Sequence, residues 1–93
     1  MKEIKEYILD SKSFGKQTIY LPVDAEIVAV KQLEEKVVLF YLTDPLEVIT
    51  SIRTIVSCKT SEAVFTDKLL YIGNYTDDVF GIIHILVEKE DFE

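Results

Sequence analysis

The stretch Lys68–Glu88, KLLYIGNYTDDVFGIIHILVE, constrains the fold of this chain most tightly. Two apolar, β-prone runs, Leu69–Tyr75 and Val79–Val87, flank the polar Thr76-Asp77-Asp78. Neither run has the length or spacing of a helix, and a short polar connector between such runs signals a β-hairpin. The hairpin carries His84, the only histidine, and two of the three glycines, Gly73 and Gly81. It is the most apolar stretch, so other strands are expected to pair with it or pack on it.

The rest of the chain reads as further strands with short turns. Glu3–Leu9 sets Ile4, Tyr7 and Leu9 among charges and suits an edge strand, stopped by Asp10-Ser11-Lys12-Ser13. Phe14–Leu21 follows and Pro22 ends it, with Gly15 marking a bulge or turn. Ala25–Leu33 and Val37–Thr43 form a second hairpin around the polar tip Glu34-Glu35-Lys36. Val37–Leu42 is apolar on both faces, the pattern of a central strand covered on two sides. Thr43-Asp44-Pro45-Leu46 is turn chemistry, because Asp bonds its own backbone and Pro fixes φ. Glu47–Cys58 alternates with polar residues on both faces, which predicts an exposed or partly exposed strand. Lys59–Asp67 reads as a loop with at most one short turn or strand, and Glu88–Glu93 as a frayed acidic tail. The sum is an all-β fold: a six- or seven-stranded antiparallel β-sandwich or small barrel built from hairpins.

The 93 residues suffice for a single β domain, 1–93. A chain this short buries only about 60–65% of its unfolded surface, yet 48% of its residues are hydrophobic. Some of that apolar surface is expected to be covered by a partner, most simply a second copy in a homo-oligomer. The net charge of −7 disfavours direct DNA or RNA binding and anionic membranes, all of which ask for a basic surface. Met1–Asp10 lacks the continuous apolar core of a signal peptide, and no run approaches a membrane span. A single cysteine, Cys58, allows no intrachain disulfide and suits a reducing cytoplasm.

One His and one Cys exclude a zinc site of His and Cys ligands within the chain. Nucleophilic catalysis through an imidazole base would have to use His84, which sits mid-strand between Ile83 and Ile85 as a packed or sheet-surface histidine does. Cys58 lies beside Lys59, which lowers a thiol pKa when close, although a plain cysteine at a strand end is the simpler reading. The isolated glycines form no phosphate loop. Counting leaves a catalytic carboxylate pair open, but no residue pattern points to an enzyme, a metal site or a cofactor, and none is expected. Arg53 and Lys59, with Thr60 and Ser61, form the only cationic stretch rich in small hydroxyls, a combination able to hold one phosphate or a small nucleotide, although a solvated strand end is the simpler reading. Tyr71 and Tyr75 add aromatic faces for stacking. The candidate ligand set is therefore Arg53, Lys59, Thr60, Tyr71, Tyr75 and His84.

The order of short motifs carries further information. Tyr7-Ile8-Leu9 precedes Gln17-Thr18-Ile19-Tyr20-Leu21-Pro22 and Ala25-Glu26-Ile27-Val28-Ala29-Val30. Phe40-Tyr41-Leu42-Thr43-Asp44-Pro45, Tyr71-Ile72-Gly73 and His84-Ile85-Leu86-Val87-Glu88 follow. This succession resembles an uncharacterised family of small phage and prophage proteins. That family tends to carry Trp where this chain has Phe40 and Ile83, and a glycine-containing turn in place of Ser57-Cys58-Lys59-Thr60. The resemblance implies a non-enzymatic phage accessory protein that acts in the host cytoplasm and counters host defence. Such a protein is expected to sequester a small nucleotide-derived immune signal at a subunit interface. The alternative is a protein–protein inhibitor of a host defence or nucleic-acid-processing protein, using its acidic or apolar surface.

Overall fold

The structure, a computed structural model, describes residues 1–12, 14–62, 64 and 67–89. It is all-β. Strands β1 (Glu3–Leu9), β2 (Gly15–Pro22), β3 (Glu26–Leu33), β4 (Lys36–Thr43), β5 (Thr50–Lys59), β6 (Leu69–Asp77) and β7 (Gly81–Glu88) form one sheet. Their order is β1-β4-β3-β6-β7-β5-β2, so β1 lies at one edge, as its charged alternation predicts, and β2 at the other. Every neighbouring pair is antiparallel except β3 with β6, which makes the sheet mixed rather than purely antiparallel.

Chain connectivity forces the sheet to curl. A flat sheet of seven strands would set its edges about 29 Å apart. The two edge strands are consecutive in the chain, and the link from Leu9 to Gly15 reaches at most about 21 Å. The edges therefore swing toward each other at that link, giving a half-barrel. Gln17 on β2 ties the corner: its side-chain amide donates to the Asp10 carbonyl at 3.2 Å and accepts the Asp10 N–H at 3.4 Å. One buried cluster fills the concave side. It joins Leu9 on β1 and Ile19 and Leu21 on β2 with Val30, Leu39, Ile55, Ile83 and Ile85. Fully burying one aliphatic side chain contributes about 1.5–3 kcal/mol, so this cluster holds the two edges on one core.

Strand β4 has the double-sided burial its sequence predicts: Val37 and Leu39 enter the core and Val38 is buried on the opposite face. Strand β5 is partly exposed, as its sequence predicts, with Ile52 61% exposed on one face, while its other face is largely buried. It lies inside the sheet, and Arg53 and Ser57 are buried with Ile55. Polar residues at alternate positions looked exposed by type, but Arg53 enters the interior because backbone carbonyls meet its donors. The C-terminal hairpin forms, with its turn at Asp78-Val79-Phe80 instead of Thr76-Asp77-Asp78. The Asp77 carboxylate accepts the Val79 and Phe80 N–H groups at 2.8 and 3.0 Å, which closes the turn later than apolarity alone suggests. Much of the predicted Lys59–Asp67 loop, and the tail from 90 to 93, lie outside the described residues.

The seam between β3 and β6 is narrow. Val30 faces Gly73, and a Cβ on Gly73 would sit 2.7 Å from the Val30 carbonyl oxygen. Only glycine permits that approach. Beyond it, the Gln32 side chain stands in for backbone pairing: it donates to the Thr76 carbonyl at 3.1 Å and accepts the Thr76 N–H at 3.2 Å.

Candidate functional site

Strand register gathers a polar group on the convex face, opposite the core. Directly paired residues share a face. Cys58 pairs with His84 across β5 and β7, and Asn74 pairs with His84 across β6 and β7. A bulge between Tyr71 and Gly73 re-aims β6 and brings the Tyr71 hydroxyl back toward the imidazole. Both ring nitrogens are engaged: Thr60 Oγ1 lies 2.8 Å from Nε2, and the Tyr71 hydroxyl lies 2.9 Å from Nδ1. Asn74 donates to the Tyr71 hydroxyl at 3.0 Å. The Tyr71 and His84 rings are tilted by 50° with centroids 5.7 Å apart.

A hydroxyl both donates and accepts, so this network closes with either imidazole tautomer. It also closes with the imidazolium, toward which both hydroxyls turn as acceptors. A metal or substrate would have to displace Thr60 or Tyr71 to reach a ring nitrogen. Cys58 lies beside the ring but is buried, and burial pushes its thiol pKa up, with the Glu62 carboxylate adding to the shift. A thiol so placed is protonated at neutral pH and is a poor nucleophile. No group of three or more His, Cys, Asp or Glu side chains suited to a metal occurs among the described residues. The arrangement is a braced hydrogen-bonding surface.

Of the six residues singled out in the sequence, the fold brings Thr60, Tyr71 and His84 together. It places the other three elsewhere. Arg53 sits on the concave side, where Nη2 donates to the carbonyls of Ala25 at 3.0 Å and Val23 at 3.4 Å, and Nε donates to the Ser51 hydroxyl at 3.3 Å. Its guanidinium clamps the β2–β3 connection. Tyr75 is also in the core, its hydroxyl donating to the Ser11 carbonyl at 3.0 Å. Lys59 lies at the end of β5 with Nζ 4.7 Å from the Phe80 ring centroid. Asn74 was not anticipated. Its place beside His84 depends on a register that the later turn sets, and the sequence signal put that turn too early.

The surroundings of the network matter as much as its polar atoms. Alternation along the strands and pairing between them put Lys16, Thr18 and Tyr20 of β2 on this convex face with Ile52, Thr54 and Val56 of β5. Ile82, His84, Leu86 and Glu88 of β7 share it with Tyr71, Asn74 and Thr76 of β6. Tyr20, Ile52, Tyr71 and Ile82 are 50–62% exposed. The charged residues these strands contribute to the face are Lys16 and Glu88, and they pair with each other at 3.5 Å. A chain of charge −7 thus keeps the part of this face formed by β2, β5, β7 and β6 nearly free of uncompensated charge. No helix among the described residues is long and apolar enough to cross a membrane. Comparison with protein-family models, curated proteins and solved structures found no match for the chain.

Proposed function

We propose that this chain is a non-catalytic binding protein that docks a partner protein on the convex face of β2, β5, β7 and β6. The observation that carries this reading is the composition of that face: exposed Tyr20, Ile52, Tyr71 and Ile82 around the Thr60–His84–Tyr71–Asn74 network, with its one cation and one anion paired. Interface centres are depleted of charge and enriched in tyrosine, and hot spots combine aromatic anchors with satisfied polar groups. In the phage setting implied by the motif order, the partner is a host defence or nucleic-acid-processing protein, and occupying its surface blocks it.

Capture of a nucleotide-derived signal is the second reading. It draws support from the hydroxyl, amide and imidazole groups that converge at His84. It is the weaker of the two because Arg53, the proposed phosphate partner, spends its donors on the Val23 and Ala25 carbonyls.

The test is a pull-down from host lysate with the full chain immobilised, at low and high salt. The wild-type protein is expected to retain one host polypeptide. Ile82→Glu, which sets a carboxylate in the centre of the face, is expected to lower capture at least roughly tenfold with an unchanged circular-dichroism spectrum. An empty wild-type pull-down at low salt overturns the reading. Native mass spectrometry of protein from infected cells separates the two readings: a retained nucleotide-sized mass transfers the assignment to signal capture.

A further inference from the structure

Strand β1 is a free edge of the sheet, and residues 1 to 6 are all exposed. An open edge presents unpaired N–H and C=O groups to any chain that can add a strand. Its side chains decide which chain that is. Lys2-Glu3-Ile4-Lys5-Glu6 is complementary to itself when reversed about Ile4. We propose that this edge pairs antiparallel with β1 of a second copy of the chain, about a two-fold axis at Ile4, to join two half-barrels into one continuous sheet.

In that register Ile4 faces Ile4 of the second copy. Glu3 faces Lys5, and Lys2 faces Glu6, each twice by symmetry. Four opposite-charge pairs thus flank one aliphatic pair, and opposite charges directly across an antiparallel ladder attract. The register joins residues of equal parity, so the convex face of one protomer continues into that of the other. Neighbouring registers lack this match. Centring on Glu3 sets Glu3 against Glu3, centring on Lys5 sets Lys5 against Lys5, and centring on Glu6 sets Glu6 against Glu6. Centring on Tyr7 places Lys5 against Leu9 and Glu6 against Ile8.

Several observations leave the edge available. Ile4 is 64% exposed. Glu3, Lys5 and Glu6 hold no side-chain hydrogen bond or ion pair among the described residues. Lys2 reaches Glu26 at 2.9 Å, but both partners are largely exposed, and such pairs exchange readily. The corner where β1 meets β2 lies at the Leu9 end, away from this segment. The β2 edge offers no equivalent: it carries a single charge, Lys16, already paired with Glu88, and ends in Pro22.

The inference is independent of what the His84 face binds, because it uses the opposite end of the sheet. The test is sedimentation equilibrium of the full chain over a range of concentrations at low salt, with folding checked by circular dichroism. Wild type is expected to show a reversible monomer–dimer equilibrium that salt weakens. Glu3→Lys turns two attractive pairs into Lys–Lys pairs, and Lys5→Glu turns the same two into Glu–Glu pairs. Each alone is expected to weaken dimerisation roughly tenfold or more. The double variant Glu3→Lys/Lys5→Glu restores the order of charges and is expected to restore the dimer. An equimolar mixture of the two single variants is expected to form a heterodimer near wild-type affinity. A wild type that stays monomeric at every concentration overturns the proposal. So does a dimer unchanged in both single variants, or a double variant that fails to recover.

Discussion

Arg53 shows how one residue's neighbours settle its task. By type it is a phosphate ligand; in place it is a buried strut whose guanidinium holds the carbonyls of Val23 and Ala25. Replacing it with alanine leaves those acceptors without a partner and removes a charge-assisted bond. Arg53→Ala is expected to destabilise the fold by about 2–3 kcal/mol, read as a lower urea midpoint, and Arg53→Lys to recover only part, since an ammonium lacks the planar fork. Asp24 is the other strut of this corner. Its carboxylate accepts the Thr43 hydroxyl at 2.6 Å and the Asp44 N–H at 2.8 Å. These bonds, the hydroxyl first, hold its pKa below the ordinary carboxylate value. A group whose folded pKa is depressed stabilises the fold above its unfolded pKa, about 3.9, and loses that effect as pH falls through the folded value. Asp24→Asn is therefore expected to be less stable than wild type at neutral pH, with the gap closing below about pH 3.9. Denaturant titrations at several pH values check this; a gap constant with pH would dissociate Asp24 from the acid limb.

Among the elements, the β3–β6 seam is the weak join of the sheet. Elsewhere the ladders run over five to eight paired positions, whereas here Val30 and Gly73 supply one, and the Gln32 side chain supplies the next contact. Gly73 is required by space: an added Cβ meets backbone at 2.7 Å, which no rotamer relieves. Gly73→Ala is expected to cost about 1–3 kcal/mol and to raise amide exchange at Val30 and Thr76 ahead of the hairpin interior. Retained stability and an unaltered exchange pattern would mean that the seam gives way elsewhere. Much of this level was legible in the sequence. A count of six or seven strands, the edge position of β1 and the buried character of β4 all follow from residue alternation and turn chemistry, which act within a few residues. The parallel pairing of β3 with β6 was not legible, because it joins positions far apart in the chain through a single close contact.

At the scale of the whole molecule, the charged β1 edge and the nearly charge-free surface around His84 lie apart. The chain carries a net charge of −7, yet the convex face around His84 has its two charges in one pair. That separation is why charge reversal at the β1 edge and burial of a carboxylate at Ile82 read out different surfaces. The sequence by itself determined the all-β strand content and the turn positions to within a few residues, because period-two alternation and turn preferences are local properties of the backbone. Only the tertiary structure decided which candidate residues meet. The curl imposed by the short β1–β2 link sent Arg53 and Tyr75 into the concave core. The later hairpin turn and the Tyr71–Gly73 bulge set Thr60, Tyr71 and Asn74 around His84. A register shift of a residue or two reassigns every partner across a ladder, and register is settled by the packing of the whole sheet.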